Sequence, residues 1–393
     1  MAQELTSISN KTVAIIGGGP AGCMCAKFLS DAGVDVTIFD KGKILVTILP
    51  TGGGRCNLAH AHYDFKILAS NYPRGEKFLY SVFSRFGTNE TLDFFKSIGI
   101  ETYTQDNGRI FPISDSSKDV REKFLKSLKC KIINENINSI NELVQGYELI
   151  SDKSKYFFDN VVVCVGGHNG YELIKNFDIN IASPKPSLVG LITKQDFSPI
   201  SGVSIKNVKC KIERTTYCGD VIFTHKGISG PLIYKISSIM ARAEMPYKIN
   251  LKFSDDFDLQ DLLNDNPHKE IKNLLSKFLP KSFAQFLLNS LSVNINALCY
   301  TIDGATRNKI YNSLTNFEIT VNGVVPDGEV VTCGGVDLKE VNSKTMESKK
   351  YKGLYFCGEV LDIDGFCGGF NLQNCWSTGY VAADSIIHNF KLG

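Results

Sequence analysis

The sequence has no strong charge bias, no long apolar run and no paired-cysteine spacing, and each absence removes a class of function. Forty-three Lys and Arg stand against 41 Asp and Glu, and the formal net charge is +2. A chain so balanced has no broad field for nucleic acid or an anionic membrane, so neither partner is expected. No segment nears the ~20 apolar residues of a membrane span. Residues 1–10 are polar and lack the apolar centre of a secretion signal, so a cytoplasmic location is expected. Twelve cysteines are present, yet no C-x-x-C occurs, and Cys23 and Cys25 suit neither a redox pair nor a zinc knuckle. Scattered cysteines in a long cytosolic chain behave as small buried hydrophobes. The six His show no H-x-x-x-H or H-E-x-x-H, and His60 and His62 share a face only on a strand. No metal is expected. Nothing in the sequence signals an oligomeric state.

What is there is glycine in telling places. Thr12 to Ile16 is a short β-branched run, read as a buried parallel strand. Gly17-Gly18-Gly19-Pro20-Ala21-Gly22 follows at once. Gly17 permits a tight turn, Gly19 lets the backbone approach a pyrophosphate, and Gly22 lets the next helix pack on the strand. Ala21 to Ala32 reads as that helix, with its N-terminal amides toward the phosphates. Val34 to Phe39 is a second strand, closed by Asp40 and Lys41. Asp40 lies 18 residues after Gly22, where a carboxylate can accept both hydroxyls of an adenosine ribose. Thr51-Gly52-Gly53-Gly54-Arg55-Cys56-Asn57 then offers a nest of backbone N–H groups, with Arg55 as a cation for the pyrophosphate.

Residues 76–100 read as helix, with Phe78, Leu79, Val82, Phe83 and Phe86 toward the core. Gly108 to Pro112 is a turn and short strand bearing Arg109, and Asp119 to Leu128 is another helix. Cys130 to Ile133, Ile137 to Leu143, Tyr147 to Ile150 and Lys155 to Phe158 alternate like a small meander. Asn160 to Val165 is a second buried strand. It closes on Gly166 and Gly167, which would return the chain to the nucleotide; His168 follows as a loop residue. Pro184-Lys185-Pro186 marks a boundary. Short β segments run from Ser187 to about Lys252, helical periods fill 257–315, and strands resume at Phe317.

Leu354 to Phe356 is a third apolar strand, ending in Cys357-Gly358-Glu359. Gly368-Gly369-Phe370-Asn371-Leu372-Gln373 then turns into a helix. A strand ending in Gly-Glu and a glycine turn into a helix is what a ribityl chain and a flavin ring require. With the N-terminal fingerprint it indicates FAD. Glu359 is expected on the ribityl hydroxyls, and the N–H groups of Asn371, Leu372 and Gln373 on the pyrimidine edge of the flavin, where the helix dipole favours the reduced ring. No second G-x-G-x-x-G follows a strand, so NADH or NADPH is expected as a transient reductant without a domain of its own. The weak candidates for protonating or anchoring a small-molecule substrate are Cys56, Tyr103, Arg109, His225, Asp362 and Asp364.

The set GGGPAG at 17–22, GGGRCN at 52–57, GRIFP at 108–112, FTHKGISGP at 223–231, TCGGV at 332–336, TMESK at 345–349 and GLYFCGEVLDIDGFCGGFNLQNCWSTG at 353–379 is far more specific. On these motifs the chain resembles the bacterial aminoacetone oxidase family of NAD(P)/FAD-dependent oxidoreductases, in which one activity is a 3-dehydro-bile-acid Δ4,6-reductase. It departs from them at 166–170, where Gly-Gly-His-Asn-Gly replaces the usual Ser or Thr after the glycines. The resemblance implies an α/β fold: a split Rossmann-like FAD domain with an inserted β-rich, barrel-like domain that carries a small helical subdomain. The chain's own punctuation gives the same plan. The FAD domain covers 1–186 and 336–393, the β-rich insert 187–256 and 316–335, and the helical subdomain 257–315. The expected activity is hydride transfer from NAD(P)H through flavin to an activated C=C or C=N bond, or electron transfer to oxygen. The alternative is a flavin-bearing sensing or RNA-modification-related protein.

Overall fold

A computed structural model describes residues 11–167, 170–253, 258–326 and 331–392. His168, singled out above, lies outside them. The chain divides into two compact units, one of residues 1–185 and 331–393 and the other of 186–330.

The first unit is built on β1 (Thr12–Ile16), helix α1 (Pro20–Asp31) and β2 (Asp35–Phe39). Between β2 and the next parallel strand come β3 (Ala59–His60), helix α2 (Thr88–Ser97), β4 (Thr102–Thr104) and β5 (Arg109–Pro112). The three strands form a small antiparallel sheet in the order β3-β5-β4. The run 76–100 is two helices, because Gly87 interrupts it and Glu90 reaches back to accept the Gly87 N–H at 2.8 Å.

Strand β6 (Lys131–Ile133) corrects the meander reading. It pairs in parallel with β2, Thr37 opposite Lys131, whereas only β7 (Ile137–Glu142), β8 (Tyr147–Ser151) and β9 (Lys155–Phe158) form the three-stranded meander. Alternation alone cannot tell an edge strand of one sheet from a strand of another. β10 (Asn160–Val163) lies beside β1 in register, Val13 opposite Asn160, and the chain leaves the unit along β11 (Ile181–Ser187).

The second unit opens with β12 (Leu191–Thr193), β13 (Ser204–Ile212), β14 (Thr215–Thr224), β15 (Gly227–Ser229) and β16 (Tyr247–Lys252). With β17 (Phe317–Val324) they close a barrel in the order β12-β15-β14-β13-β16-β17. Helices at 259–264, 271–275, 281–290 and 304–315 lie between β16 and β17. Their apolar sides join the barrel's core around Phe223, Phe253 and Phe283.

The chain returns to the first unit with β18 (Val331–Val336), earlier than the change in pattern suggested, and β18 pairs with β11. β19 (Leu354–Phe356) completes the five-stranded parallel sheet β19-β10-β1-β2-β6. Helix α3 (Phe370–Leu392) ends the chain and packs along α1. Their close approach needs Gly379, where any Cβ would strike the Ala21 carbonyl. The fold is the expected α/β arrangement of a split Rossmann-like unit and an inserted closed barrel. No described helix is long and apolar enough to cross a membrane.

Candidate functional site

The phosphate end begins where β1 stops. Gly17 has φ +103°, and a Cβ there would collide with the Cys164 carbonyl on the neighbouring strand. At Gly22 a Cβ would strike the Gly17 carbonyl, so α1 can sit close to β1 only with glycine at that position. Gly19 differs: nothing lies within 4 Å of its Cβ position, which faces open space before the first turn of α1. Ala21 joins the core and Pro20 occupies the first helical turn. Asp40 ties the turn down, its Oδ2 accepting the Gly18 N–H at 2.7 Å and its Oδ1 the Gly42 N–H at 2.8 Å. A carboxylate has four lone-pair sites, so two bonds leave room for ribose hydroxyls. Lys41 is exposed beside it.

The glycine nest has the shape its sequence suggests. Gly52, Gly53 and Gly54 take φ of +59°, +70° and +86°, and nothing lies within 4 Å of the Cβ positions of Gly53 and Gly54. Arg55 lies over the Phe111 ring, 4.1 Å from its centre, and its Nε donates to the Gly52 carbonyl at 3.2 Å. It therefore braces the nest as well as charging it.

Cys56, with φ +68°, is fully buried, and burial pushes its thiol up to about 12. A thiol held so firmly protonated is a poor proton donor at neutral pH, which corrects its candidacy as an acid.

Asn57 connects the two distant motifs. In the amide orientation that satisfies its neighbours, its oxygen accepts the Gly369 N–H at 3.0 Å and its nitrogen donates to the carbonyls of Ala59 and Ile110. A Cβ on Gly369 would strike the Ala59 carbonyl, so glycine permits this contact. Asn371 then closes the turn before α3. It accepts the Gly365 N–H and donates to the Gly365 carbonyl, each at 2.8 Å.

Leu372 is half-buried beside it. Gln373 departs from expectation. Its backbone N–H is taken by the Gly369 carbonyl, and its amide points into the core against Gly87, Thr91 and Ser377. Of the three N–H groups expected here, those of Asn371 and Leu372 remain for a ligand.

Glu359 follows β19 in the loop toward α3. Its Oε1 accepts the Thr332 N–H at 2.8 Å, and its Oε2 lies 4.0 Å from the Cβ position of Gly166. Gly167 packs on Thr332 and accepts from the Tyr171 hydroxyl at 3.0 Å; burial and the Glu359 carboxylate raise the Tyr171 pKa. Gly358 donates to Thr378 Oγ1 at 2.9 Å and rests on Ala21, joining β19 to the mouth of α1.

Asp364 corrects another candidate. It is wholly buried and forms a forked ion pair with Arg74 Nε and Nη2. That is a structural tie between the loop before α3 and the loop before the helix at 76–83. Asp362 is half-buried two residues earlier. Tyr103 donates to Asp115 Oδ1 at 2.8 Å, a bond that raises its pKa. His225 belongs to the second unit, in the turn between β14 and β15, where its carbonyl accepts from Ser198 Oγ. Arg109 is half-buried on β5, directly opposite His60 of β3.

His60 was missed in the sequence. Its ring stacks on Phe370 at 4.8 Å and 18°, and on His62 at 4.3 Å and 26°. Burial, then the neighbouring His62, lowers its pKa to about 4. The available signal was the alternation of the two histidines; their partner Phe370 is too distant in sequence to suggest. Among the described residues, three buried side-chain polar atoms have no partner: His60 Nδ1, Gln373 Oε1 and Asn374 Oδ1. All three lie on β3 or the first turns of α3. The open Cβ positions of Gly19, Gly53 and Gly54 fit the close approach of an extended dinucleotide. No described residues cluster as a metal site.

The model of the HI0933-like protein Rossmann domain matches residues 11–385. The chain is 28% identical to the ribosomal RNA dihydrouridine synthase of Escherichia coli K12, over 95% of this chain and 97% of that one. It is 29% identical to the 3-dehydro-bile acid delta(4,6)-reductase of Clostridium scindens, over 94% and 97%. Among solved structures, the 3-ketosteroid delta1-dehydrogenase of Sterolibacterium denitrificans superposes with a TM-score of 0.51 at 12% identity, covering 97% of this chain and all of that one, which shows a shared fold. The chain belongs to the HI0933-like family of FAD-binding Rossmann proteins.

Proposed function

We propose that the protein is an FAD-dependent reductase acting on a C=C bond conjugated to a carbonyl, with NADH or NADPH as reductant. One observation carries this reading. Two relatives matched nearly end to end bear different substrate names but share one bond change. Making dihydrouridine adds two hydrogens across a C=C conjugated to a ring carbonyl. A Δ4,6-reductase acting on a 3-oxo steroid does the same.

Gly17, Gly19, Gly22 and the first turn of α1 would hold the pyrophosphate, with Gly53, Gly54 and Arg55 across from it. Asp40 would take the ribose, Glu359 with Gly166 and Gly167 the ribityl chain, and the N–H groups of Asn371 and Leu372 the pyrimidine edge. FAD, when bound, supplies hydride transfer. The protein then needs to polarise the substrate carbonyl and supply one proton. Arg109 stands opposite His60 on the neighbouring strand, and with Cys56 buried and Asp364 paired to Arg74, Tyr103 and Asp362 remain the proton candidates of this unit.

The test is anaerobic reduction of the flavin by NADH and NADPH, followed by reoxidation with cyclic enones, uridine-containing RNA, imines and, separately, oxygen. The reading expects reduction by a nicotinamide and reoxidation by a conjugated carbonyl. Reoxidation by imines alone would make it an imine reductase, and reoxidation by oxygen alone an oxidase.

A further inference from the structure

His60 and His62 are held more firmly than loop histidines need to be. The Thr88 hydroxyl, at the start of α2, is shared between their two carbonyls at 3.1 and 2.8 Å. The His62 N–H donates to the His60 carbonyl and the Ala61 N–H to the Gly108 carbonyl, each at 2.8 Å. Two glycines leave room for the His60 ring. A Cβ on Gly108 would lie 2.4 Å from its Cε1, and one on Gly368 would lie 3.2 Å from its Cδ2. The His62 ring stacks on that of His60 and lies nearly parallel to Phe370, 6.0 Å away at 17°. Phe370 is itself fixed, because the buried Tyr72 hydroxyl donates to its carbonyl at 2.5 Å. It directly precedes Asn371, so the three rings border the end of the site read above as the place of the flavin's pyrimidine edge.

The polar atoms of this stack are left over. His60 Nδ1 is buried without a partner. The ring nitrogens of His62 have no partner among the described residues either, but they reach solvent. The acids of the surrounding elements are engaged elsewhere or exposed. Asp64 accepts the Lys66 and Ile67 N–H groups, Glu90 the Gly87 N–H and Asp115 the Tyr103 hydroxyl. Asp364 holds Arg74, and Asp106 is exposed in the turn before β5. Cys367 is the thiol of the loop before Gly368. The charge beside the stack is positive: Arg109, opposite His60 on β5, which has no ion-pair partner among the described residues. Burial lowers the pKa of both rings, and His62 and Arg109 lower that of His60 further. At neutral pH both imidazoles are therefore uncharged, and each carries one N–H. Packing alone favours an apolar ring here, since a buried nitrogen left unpaired costs stability.

We infer that His62 donates a ring N–H to the carbonyl oxygen of the conjugated substrate, with His60 as the positioning residue that holds its ring and the Arg109 guanidinium as the cation beside that oxygen. This rests on the reductase reading and adds the group that polarises the carbonyl. Hydride from the nicotinamide reaches the far carbon of the C=C by way of the flavin. The π pair of that bond then shifts, and negative charge develops on the carbonyl oxygen. A fixed N–H and a cation aimed at this oxygen stabilise it as it forms. An uncharged imidazole suits the task, because it lends a hydrogen bond without surrendering its proton to the oxygen. A proton then adds at the carbon next to the carbonyl, which restores the C=O and leaves the C–C bond saturated.

The experiment uses the FAD-loaded full chain and two variants, His62→Phe, which keeps a ring in the stack without a donor, and His62→Gln, which keeps a donor without the ring. FAD content confirms that each variant is loaded. Each protein is reduced anaerobically with dithionite and mixed with cyclohexenone. At saturating enone, His62→Phe should reoxidise about 100-fold more slowly than the native protein, and His62→Gln should recover about tenfold of that loss. The ratio of native to His62→Phe rates should be the same at pH 6.5 and pH 8.5, because the imidazole is uncharged at both. A second readout needs no turnover: 4-nitrophenolate, which carries a negative oxygen on a conjugated ring, is titrated into the oxidised proteins and followed by flavin absorbance. It should bind the native protein and bind His62→Phe at least about tenfold more weakly. Equal reoxidation rates in native and His62→Phe proteins, a Gln variant as slow as the Phe variant, or a rate ratio that collapses as pH rises would overturn the inference. So would equal or absent binding of 4-nitrophenolate. If no conjugated carbonyl reoxidises the native flavin, the reductase reading fails by itself, and the phenolate titration still decides whether His62 grips an anionic oxygen.

Discussion

The Asn57 amide oxygen accepts the Gly369 N–H at 3.0 Å, and this contact joins the glycine nest near the start of the chain to the helix turn near its end. Both flavin-type motifs thus close around one side chain. Asn57→Leu keeps the volume and removes every polar bond. It leaves the Gly369 N–H without its acceptor and strips one donor from the Ala59 and Ile110 carbonyls, of which Ile110 keeps the Leu58 N–H; each buried group left unmet costs about 1–3 kcal/mol before relaxation. A clear fall in thermal midpoint, together with loss of bound FAD, is expected in calorimetry and absorbance. A variant that keeps both would show that the two motifs are held together by something else.

The glycines of the fingerprint separate folding from binding. Gly19 takes an ordinary φ of −76° and its Cβ would meet open space. Gly19→Val should fold with a near-native thermal midpoint in the absence of FAD and bind no FAD, since the side chain fills the place of the pyrophosphate. Gly22→Val should fail earlier, because its Cβ strikes the Gly17 carbonyl. Soluble yield and FAD titration distinguish the two; a Gly19→Val protein that binds FAD normally would move the nucleotide elsewhere.

Arg74 and Asp364 are 290 residues apart and form a forked ion pair around a carboxylate with no exposure. Asp364→Asn alone should cost about 3–5 kcal/mol, because Arg74 is left partly buried without its counter-charge. Replacing both, with Arg74→Met and Asp364→Leu, should cost less than the sum of the two single changes. Denaturant unfolding of the native protein, Asp364→Asn, the single variants Arg74→Met and Asp364→Leu, and the double variant measures this. Full thermal stability in Asp364→Asn with loss of turnover would instead return Asp364 to the list of proton donors.

These cases show what the sequence carried and what it did not. Strand, glycine turn, helix, strand and acid fall in order within residues 12–40, so that unit was legible from local spacing. The same holds for the strand and helix that meet at 354–373. The sheet that would receive Lys131–Ile133 was not legible, because an edge strand looks like a hairpin strand until its partner is known. Gln373 looked like a ligand group beside Asn371, yet one step of about 100° around a helix turns it from the site into the core. Asp364 and Cys56 have residue types suited to acid chemistry; only the distant Arg74 and the depth of burial show that they are otherwise engaged. His60 was unreadable for the same reason, since its stacking partner lies on the C-terminal helix.

His60 also gives the site a pH dependence whose sign can be worked out. Burial comes first among the causes of its lowered pKa, then the His62 ring; Arg109 opposes protonation as well, and the Asn107 backbone favours it. In the unfolded chain the imidazole takes a proton near 6.5, whereas in the folded chain it resists until about 4. The neutral stack is therefore fully tolerated above pH 6.5 and becomes a liability as pH falls between those values, because the unfolded state binds the proton first. Screening of a half-buried ring limits the loss to an order of 1–2 kcal/mol. Urea unfolding at pH 7 and pH 4.5 should show that loss in the native protein and a smaller one in His60→Phe, which keeps a ring against Phe370 and cannot titrate. A His60 resonance that titrates near 6.5 in the folded protein would contradict the stacked, buried imidazole.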